Sequence, residues 1–244
     1  MYQEFAGVYD AMMSEIPYDL WYERIHAYLV EQGKPDGHLC ELGCGTGQMT
    51  GRFCDAGYEV TGIDLSPDML ALAMERKKEH QNILYLNQDM TDFSLHKPAD
   101  VVLCICDSFN YLLEEEELLA MFRCVREAMT EDGIFLFDMK TRYCYTDILG
   151  DGIRVEDEED YTVIWDNAFD TETDTNEYLL TMFVRQEDDR YERYDECHVQ
   201  RAYDDEVVVR LLKEAGLEVC HRFGADLAQA PGKQEERCYF VAKK

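Results

Sequence analysis

The sequence predicts an α/β fold: a seven-stranded, mostly parallel sheet with helices on both faces, plus an inserted antiparallel β meander. Three observations predict it. Short strand-like apolar runs alternate with helix-period segments from residue 38 to residue 139. Asp100–Cys106 is almost continuously apolar, as suits a strand buried on both faces. Long helix signals then stop between Thr141 and Tyr203 and resume afterwards. With 244 residues and 46% hydrophobic content, the chain suffices for one large domain carrying an insertion.

The elements follow in order. Phe5, Val8, Tyr9, Met12 and Met13 recur near a 3.6-residue period, so a first helix is expected before Pro17. A second covers Tyr18–Gln32 and stops at Gly33. His38–Leu42 reads as a strand, Gly43–Gly47 as a glycine-rich turn, and Gln48–Ala56 as a helix ending at Gly57. Tyr58–Asp64 is a strand rich in β-branched residues. Ser66-Pro67-Asp68 opens a helix: serine caps, proline suits the first turn, and the acid suits the positive end of the dipole. Strands at Ile83–Asn87, Asp100–Cys106 and Gly133–Met139 follow, with a helix over Glu114–Met129. Tyr161–Phe169, Glu177–Gln186 and Tyr191–Ala202 form the meander, joined by polar turns. The acidic run Glu156–Asp160 reads as a solvated turn or strand edge. A helix at Asp204–Ala215 and strands at Leu217–Phe223 and Arg237–Ala242 close the fold. Residues 1–140 and 203–244 are thus expected to form the main domain, and 141–202 the inserted subdomain.

Charge narrows the function classes. The net charge of −29 repels phosphate backbones and anionic lipid, and no basic cluster exceeds Arg76-Lys77-Lys78. Neither nucleic acid nor membrane is an expected partner; a small molecule is. The opening Met1-Tyr2-Gln3-Glu4 carries no basic-then-apolar leader signal. The ten cysteines are scattered without a CxxC pair, which fits reduced core thiols in a cytoplasmic protein and no metal site.

The informative segment is Glu41-Leu42-Gly43-Cys44-Gly45-Thr46-Gly47, between a strand and a helix. Its glycines allow positive φ and close approach of backbone to a ligand, at the crevice where an open α/β sheet binds. Asp64 ends the second strand and can accept both hydroxyls of a ribose. Gln88-Asp89-Met90 ends the third; Asp89 can receive an adenine amine and Met90 can flank the ring. Each acid alone also reads as a cap or a solvated corner, but their succession along one sheet edge points to a nucleoside. The pattern is GxGxG where the dinucleotide fingerprint is GxGxxG. Glu41 beside it would disfavour a pyrophosphate; it either orders the loop or binds a methionyl amine through water.

Together these residues resemble the class I S-adenosylmethionine-dependent methyltransferases, which implies a Rossmann-like sheet and S-adenosyl-L-methionine as cofactor. The resemblance implies cofactor contacts from Glu41, Gly43, Cys44, Gly45, Thr46 and Gly47. It implies others from Asp64, Leu65 and Met69, from Gln88, Asp89 and Met90, and from Cys106 and Asp107. Phe5-Ala6-x-x-Tyr9-Asp10, Asp107-Ser108-Phe109-Asn110-Tyr111 and Glu196-Cys197-His198-x-x-Arg201-x-Tyr203 are similar to the glycine and amino-sugar N-methyltransferase groups. That likeness implies that Tyr9 and Trp21 cover the cofactor, and that the inserted sheet is a lid or a dimer face of a homodimer.

The reaction expected is methyl transfer to a nitrogen or oxygen of a small molecule, for which His198, Tyr9 and Asn110 are the candidate catalytic residues. Histidine is the side chain whose ordinary pKa lies nearest neutrality, so His198 is the candidate base, or it is a structural strand residue. Asp107 faces the cleft or caps the segment after it. Asn110 and Tyr111 either donate to the acceptor or pack the loop. Arg201 binds a substrate carboxylate or neutralises nearby acids such as Glu196. Trp165 lines the acceptor pocket or packs the meander. The competing readings are an NAD-dependent Rossmann oxidoreductase and a non-catalytic nucleotide-binding module.

Overall fold

The computed structural model describes residues 16–76, 82–186 and 188–244. The helix expected before Pro17, with Tyr9, lies outside them. Strands β1 (His38–Leu42), β2 (Glu59–Asp64), β3 (Ile83–Asn87), β4 (Ala99–Cys104), β5 (Met129–Lys140), β10 (Glu218–Phe223) and β11 (Arg237–Lys243) form one sheet. Its order is β10-β11-β5-β4-β1-β2-β3. Neighbours from β5 through β4, β1 and β2 to β3 are parallel, while β11 runs antiparallel to both β5 and β10. The chain leaves β1 first towards β2 and β3 and later returns to place β4 on its other flank. The order therefore reverses at β1, where such sheets open a binding crevice at their carboxyl edge.

The two-residue period of the strands divides the core. Cys40 and Leu42, Val102 and Cys104, Phe135 and Phe137, and Phe240 pack on one face. Leu39, Val101 and Leu103, Ile134 and Leu136, and Tyr239 and Val241 pack on the other. Helices α4 (Glu115–Ala128) and α5 (Asp205–Glu214) cover the first face through Leu118, Met121, Phe122, Val125, Val208, Leu211 and Leu212. Helices α1 (Tyr18–Glu31) and α2 (Gln48–Asp55) cover the second through Ile25, Tyr28, Leu29, Met49 and Phe53. Phe137 is stacked between Phe109 at 4.9 Å and Phe240 at 5.1 Å. Helix α3 (Pro67–Arg76) follows β2, and Ser66 Oγ accepts the Met69 N–H as the sequence predicts.

Between β5 and α5 lies a second, antiparallel sheet of β6 (Gly152–Asp157), β7 (Tyr161–Asp170), β8 (Thr175–Arg185) and β9 (Tyr191–Arg201). Cross-strand partners share a face, so the register aligns Val163, Met182 and Tyr194, then Trp165, Leu180 and Glu196, then Asn167, Tyr178 and His198. Val163, Leu180 and Met182 form a small core there, and Met69 from α3 packs against it. This inner face thereby meets the first turn of α3, the helix that follows β2.

Three expectations are corrected. The meander has a fourth strand, β6, hidden because all but one of its residues are exposed and its Glu156 and Asp157 look like turn residues. Strand β5 starts at Met129, before Gly133, with an irregularity in its pairing. Strand β4 ends at Cys104, because Cys106 and Asp107 take left-handed φ values of 61° and 54°. No helix among the described residues is long and apolar enough to cross a membrane.

Candidate functional site

The glycine turn sits at the carboxyl end of β1. Gly43, Gly45 and Gly47 have φ of 67°, 52° and 80°, which other residues adopt only at a cost. Space is equally restrictive: a Cβ on Gly43 would lie 2.5 Å from Ser108 Oγ, and one on Gly47 would strike the Tyr85 hydroxyl. Asp64 holds the turn open, accepting the Gly45 N–H at 2.7 Å through Oδ2 and the Ser66 N–H at 2.9 Å through Oδ1. Cys44 donates its N–H to Ile63 at 3.0 Å, and Thr46 is buried. Leu65 is well exposed beside them. Asn87 donates to the Asp64 and Leu65 carbonyls at 3.0 and 2.8 Å, tying the ends of β2 and β3.

Glu41 is only 3% exposed, and its Oε2 has no hydrogen-bond partner among the described residues. Burial pushes its pKa up to about 8, with Asp64 adding repulsion. A buried, unsatisfied carboxylate under a positive-φ glycine turn fits a cofactor with an amino-acid end, since a cation near it would offset the desolvation.

At the end of β3, Gln88 Oε1 accepts the Ser94 N–H at 3.0 Å. Asp89 is exposed and accepts the Thr91 N–H and hydroxyl at 2.8 and 2.7 Å through Oδ1. The Met90 methyl lies 3.7 Å from the Cβ position of Gly43, so the segments after β1 and β3 meet beside the glycine turn.

Across β4 lies a buried charge cluster that the sequence reading missed. Arg237 Nη1 donates to Asp138 Oδ2 at 2.5 Å and Nη2 to Asp107 Oδ1 at 2.7 Å. Asp138 is 0% exposed and also accepts the N–H groups of Cys106 and Asp107 at 3.2 and 2.8 Å, which holds that pair in its left-handed turn. Asp107 Oδ2 receives Lys140 Nζ and Gln200 Nε2, each at 2.9 Å. Desolvation opposes its ionisation, but Lys140 and Arg237 outweigh it and hold its pKa below the usual carboxylate range. Asp107 makes no side-chain cap bond to the turn that follows, so the capping alternative is set aside. Trp21 lies over the Arg237 guanidinium, with 5.0 Å from its Cζ to the ring centroid. One signal was legible in the sequence: Asp138 is a lone acid in the apolar run Ile134–Met139, and buried acids need partners.

The inserted sheet supplies the far wall. Tyr111 ends a 3₁₀ turn (Ser108–Tyr111) whose Ser108 hydroxyl donates to the Ile105 carbonyl at 3.0 Å and lies 3.4 Å from the Gly43 carbonyl. Its hydroxyl lies 2.8 Å from that of Tyr178 and 3.0 Å from His198 Nδ1. His198 Nε2 lies 3.0 Å from Glu196 Oε2, and its ring stacks on Tyr178 at 4.9 Å. Trp165 packs within the meander, 6.0 Å from Tyr178. Tyr178 was not singled out from the sequence, because only the β8–β9 register brings it to His198.

Two site expectations are corrected. Asn110 is 0% exposed, and its amide is spent on main chain: Nδ2 donates to the Lys140 and Arg201 carbonyls, and Oδ1 accepts the Lys140 N–H. It clamps β5 to β9 and leaves no donor for an acceptor molecule. Arg201 reaches the Leu113 carbonyl at 2.6 Å and Glu114 at 3.7 Å, and lies over Tyr203. Its acid neighbour is thus Glu114 where the sequence suggested Glu196, and its Nε has no hydrogen-bond partner among the described residues.

The comparisons with known proteins agree with this geometry. A family described as "Methyltransferase domain" matches residues 39–133. A "Putative methyltransferase" of Geobacillus sp. (strain WCH70) is 37% identical over 245 residues, spanning 100% of this chain and 99% of that protein. The crystal structure of an S-adenosylmethionine-dependent methyltransferase from Clostridium acetobutylicum ATCC 824 superposes with a TM-score of 0.89 at 28% identity, covering 99% and 98% of the two chains. The dTDP-3-amino-3,6-dideoxy-alpha-D-glucopyranose N,N-dimethyltransferase of Streptomyces fradiae is 32% identical over 113 residues, 46% of this chain and 43% of that one. With the glycine turn, the unsatisfied Glu41 and a full-length relative in agreement, the chain belongs to the S-adenosylmethionine-dependent methyltransferases and takes S-adenosyl-L-methionine as its cofactor.

Proposed function

We propose that the protein methylates a nitrogen of a small molecule, with an oxygen acceptor as the second reading. The observation that carries it is the inner face of the four-stranded sheet, which brings Tyr178, Glu196 and His198 to Tyr111 beside the glycine turn. Aromatic faces and a carboxylate there suit an amine that arrives partly protonated. The amino-sugar N-methyltransferase among the relatives supports the same acceptor class. The bound cofactor supplies an electrophilic methyl group on a sulfonium. The chain's own work is to position and to exclude water. Gly43–Gly47, Asp64 and Glu41 would hold the nucleoside and amino-acid ends, and Asp89 and Met90 the base. Tyr9, Trp21, Cys106 and Asp107 belong to the same proposed surround, Tyr9 lying outside the described residues.

Homodimerisation belongs to this reading on resemblance and cytoplasmic residence on the scattered, unpaired cysteines; sedimentation velocity tests the first. The test of the function is calorimetric titration with S-adenosylhomocysteine, followed by turnover on a panel of amines and hydroxy compounds. Binding with transfer to an amine is expected. Binding without transfer to any acceptor would favour the non-catalytic module. The oxidoreductase alternative is displaced by the family assignment.

A further inference from the structure

We propose that Tyr111 is the group that takes the acceptor's proton, with His198 and Glu196 acting behind it through a hydrogen-bonded chain. The proposal rests on the small-molecule methyltransferase reading above. It departs from the simpler idea that the His198 imidazole meets the acceptor itself.

Both ring nitrogens of His198 are engaged. Nδ1 faces the Tyr111 hydroxyl and Nε2 faces Glu196, each at 3.0 Å. Tyr178 covers one ring face, with an interplanar angle of 16°. No nitrogen lone pair is left to point at an acceptor. The polarity of the chain follows from the donor inventory. A carboxylate only accepts, so the imidazole proton sits on Nε2 towards Glu196. Nδ1 then holds the lone pair, and Tyr111 must donate to it. The Tyr111 oxygen in turn accepts the Tyr178 O–H at 2.8 Å. One lone pair on Tyr111 remains for an incoming N–H.

Position agrees with this polarity. Tyr111 lies three residues beyond Ser108, which touches Gly43, so the two are one 3₁₀ turn apart, about 6 Å of rise. Tyr111 is 42% exposed, whereas Tyr178, Glu196 and His198 are only partly exposed. The neighbouring charges are Lys140, 6.0 Å over the Tyr178 ring, and Asp107, to which Lys140 is paired. Desolvation of its hydroxyl end, packed against Tyr178 and His198, pushes the Tyr111 pKa up to about 12, so the phenol stays neutral and passes a proton on rather than waiting as a phenolate.

The step balances. The amine lone pair forms the N–C bond as the C–S bond breaks, its electron pair remaining on sulfur. The N–H proton moves to the Tyr111 oxygen as the Tyr111 proton moves to Nδ1. The resulting imidazolium is held by Glu196 and later releases its proton to water.

The test uses the whole protein labelled with nitrogen-15 in histidine, His198 being identified by the signal lost in His198→Gln. The expected neutral form carries its proton on Nε2. Glu196→Gln should lower the proton affinity of the ring tenfold or more, and Tyr111→Phe should shift the Nδ1 resonance. A proton on Nδ1, or a titration unmoved by Glu196→Gln, overturns the proposal. On an amine that the wild type methylates, Tyr111→Phe should lower kcat by about 10²-fold or more. S-adenosylhomocysteine affinity and the KM for the amine should stay within about twofold. Full kcat in Tyr111→Phe, with loss in His198→Gln, also overturns it. A wild type that binds S-adenosylhomocysteine but methylates nothing overturns the functional reading, while the tautomer decides the relay by itself.

Discussion

Arg237 and Asp138 form an ion pair at 2.5 Å across neighbouring strands β11 and β5, sealed beneath Trp21. The second arm of the same guanidinium reaches Asp107, so one residue fixes both the floor of the cleft and the turn after β4. Removing it would leave two buried carboxylates without their shared cation. Arg237→Ala should therefore destabilise the protein by about 3–5 kcal/mol, the scale of stripping one member from a buried ion pair. Arg237→Lys should recover only part, since an ammonium lacks the fork. Urea denaturation of the three proteins checks both statements.

Asp64→Ala is expected to weaken S-adenosylhomocysteine binding by roughly 1.5–3 kcal/mol, the scale of a lost charge-assisted hydrogen bond. The side chain also restrains Gly45, so the variant's melting curve should be recorded alongside the calorimetry. Unchanged affinity in a folded variant would remove Asp64 from the ribose assignment.

Glu41 makes the unliganded protein sensitive to pH. Its folded pKa is raised from 4.5 to about 8, so the folded state holds the proton more tightly than the unfolded chain. Stability should fall as pH rises from about 4.5 through about 8, and level off beyond. Glu41→Gln should flatten that stretch. Melting temperature against pH for the two proteins decides it, and parallel curves would contradict it.

Asn110→Ala should cost about 1–3 kcal/mol of stability, because the Lys140 and Arg201 main-chain groups lose their buried partner. Cofactor affinity in the folded variant should change little. A fully stable variant with abolished turnover would restore Asn110 as a catalytic candidate.

Much of the fold was legible because local physics repeats along the chain. The strand period separates Val102 and Cys104 from Val101 and Leu103, and that alternation is visible before any contact is known. Ser66 and Pro67 announce α3 by their own chemistry. Strand β6 escaped because an edge strand with exposed Ile153 and Val155 has no buried face to impose a pattern.

By itself the sequence determined the seven-strand core, the Gly43–Gly47 turn, and the carboxylates at 41, 64 and 89, since each is encoded within a few neighbouring residues. Only the tertiary structure decided how Asp107 is neutralised, why Asn110 is a clamp, and that Tyr111 and Tyr178 both meet His198. Those partners lie tens of residues apart, up to 130 between Asp107 and Arg237. Their meeting depends on strand order and register, which no local propensity specifies.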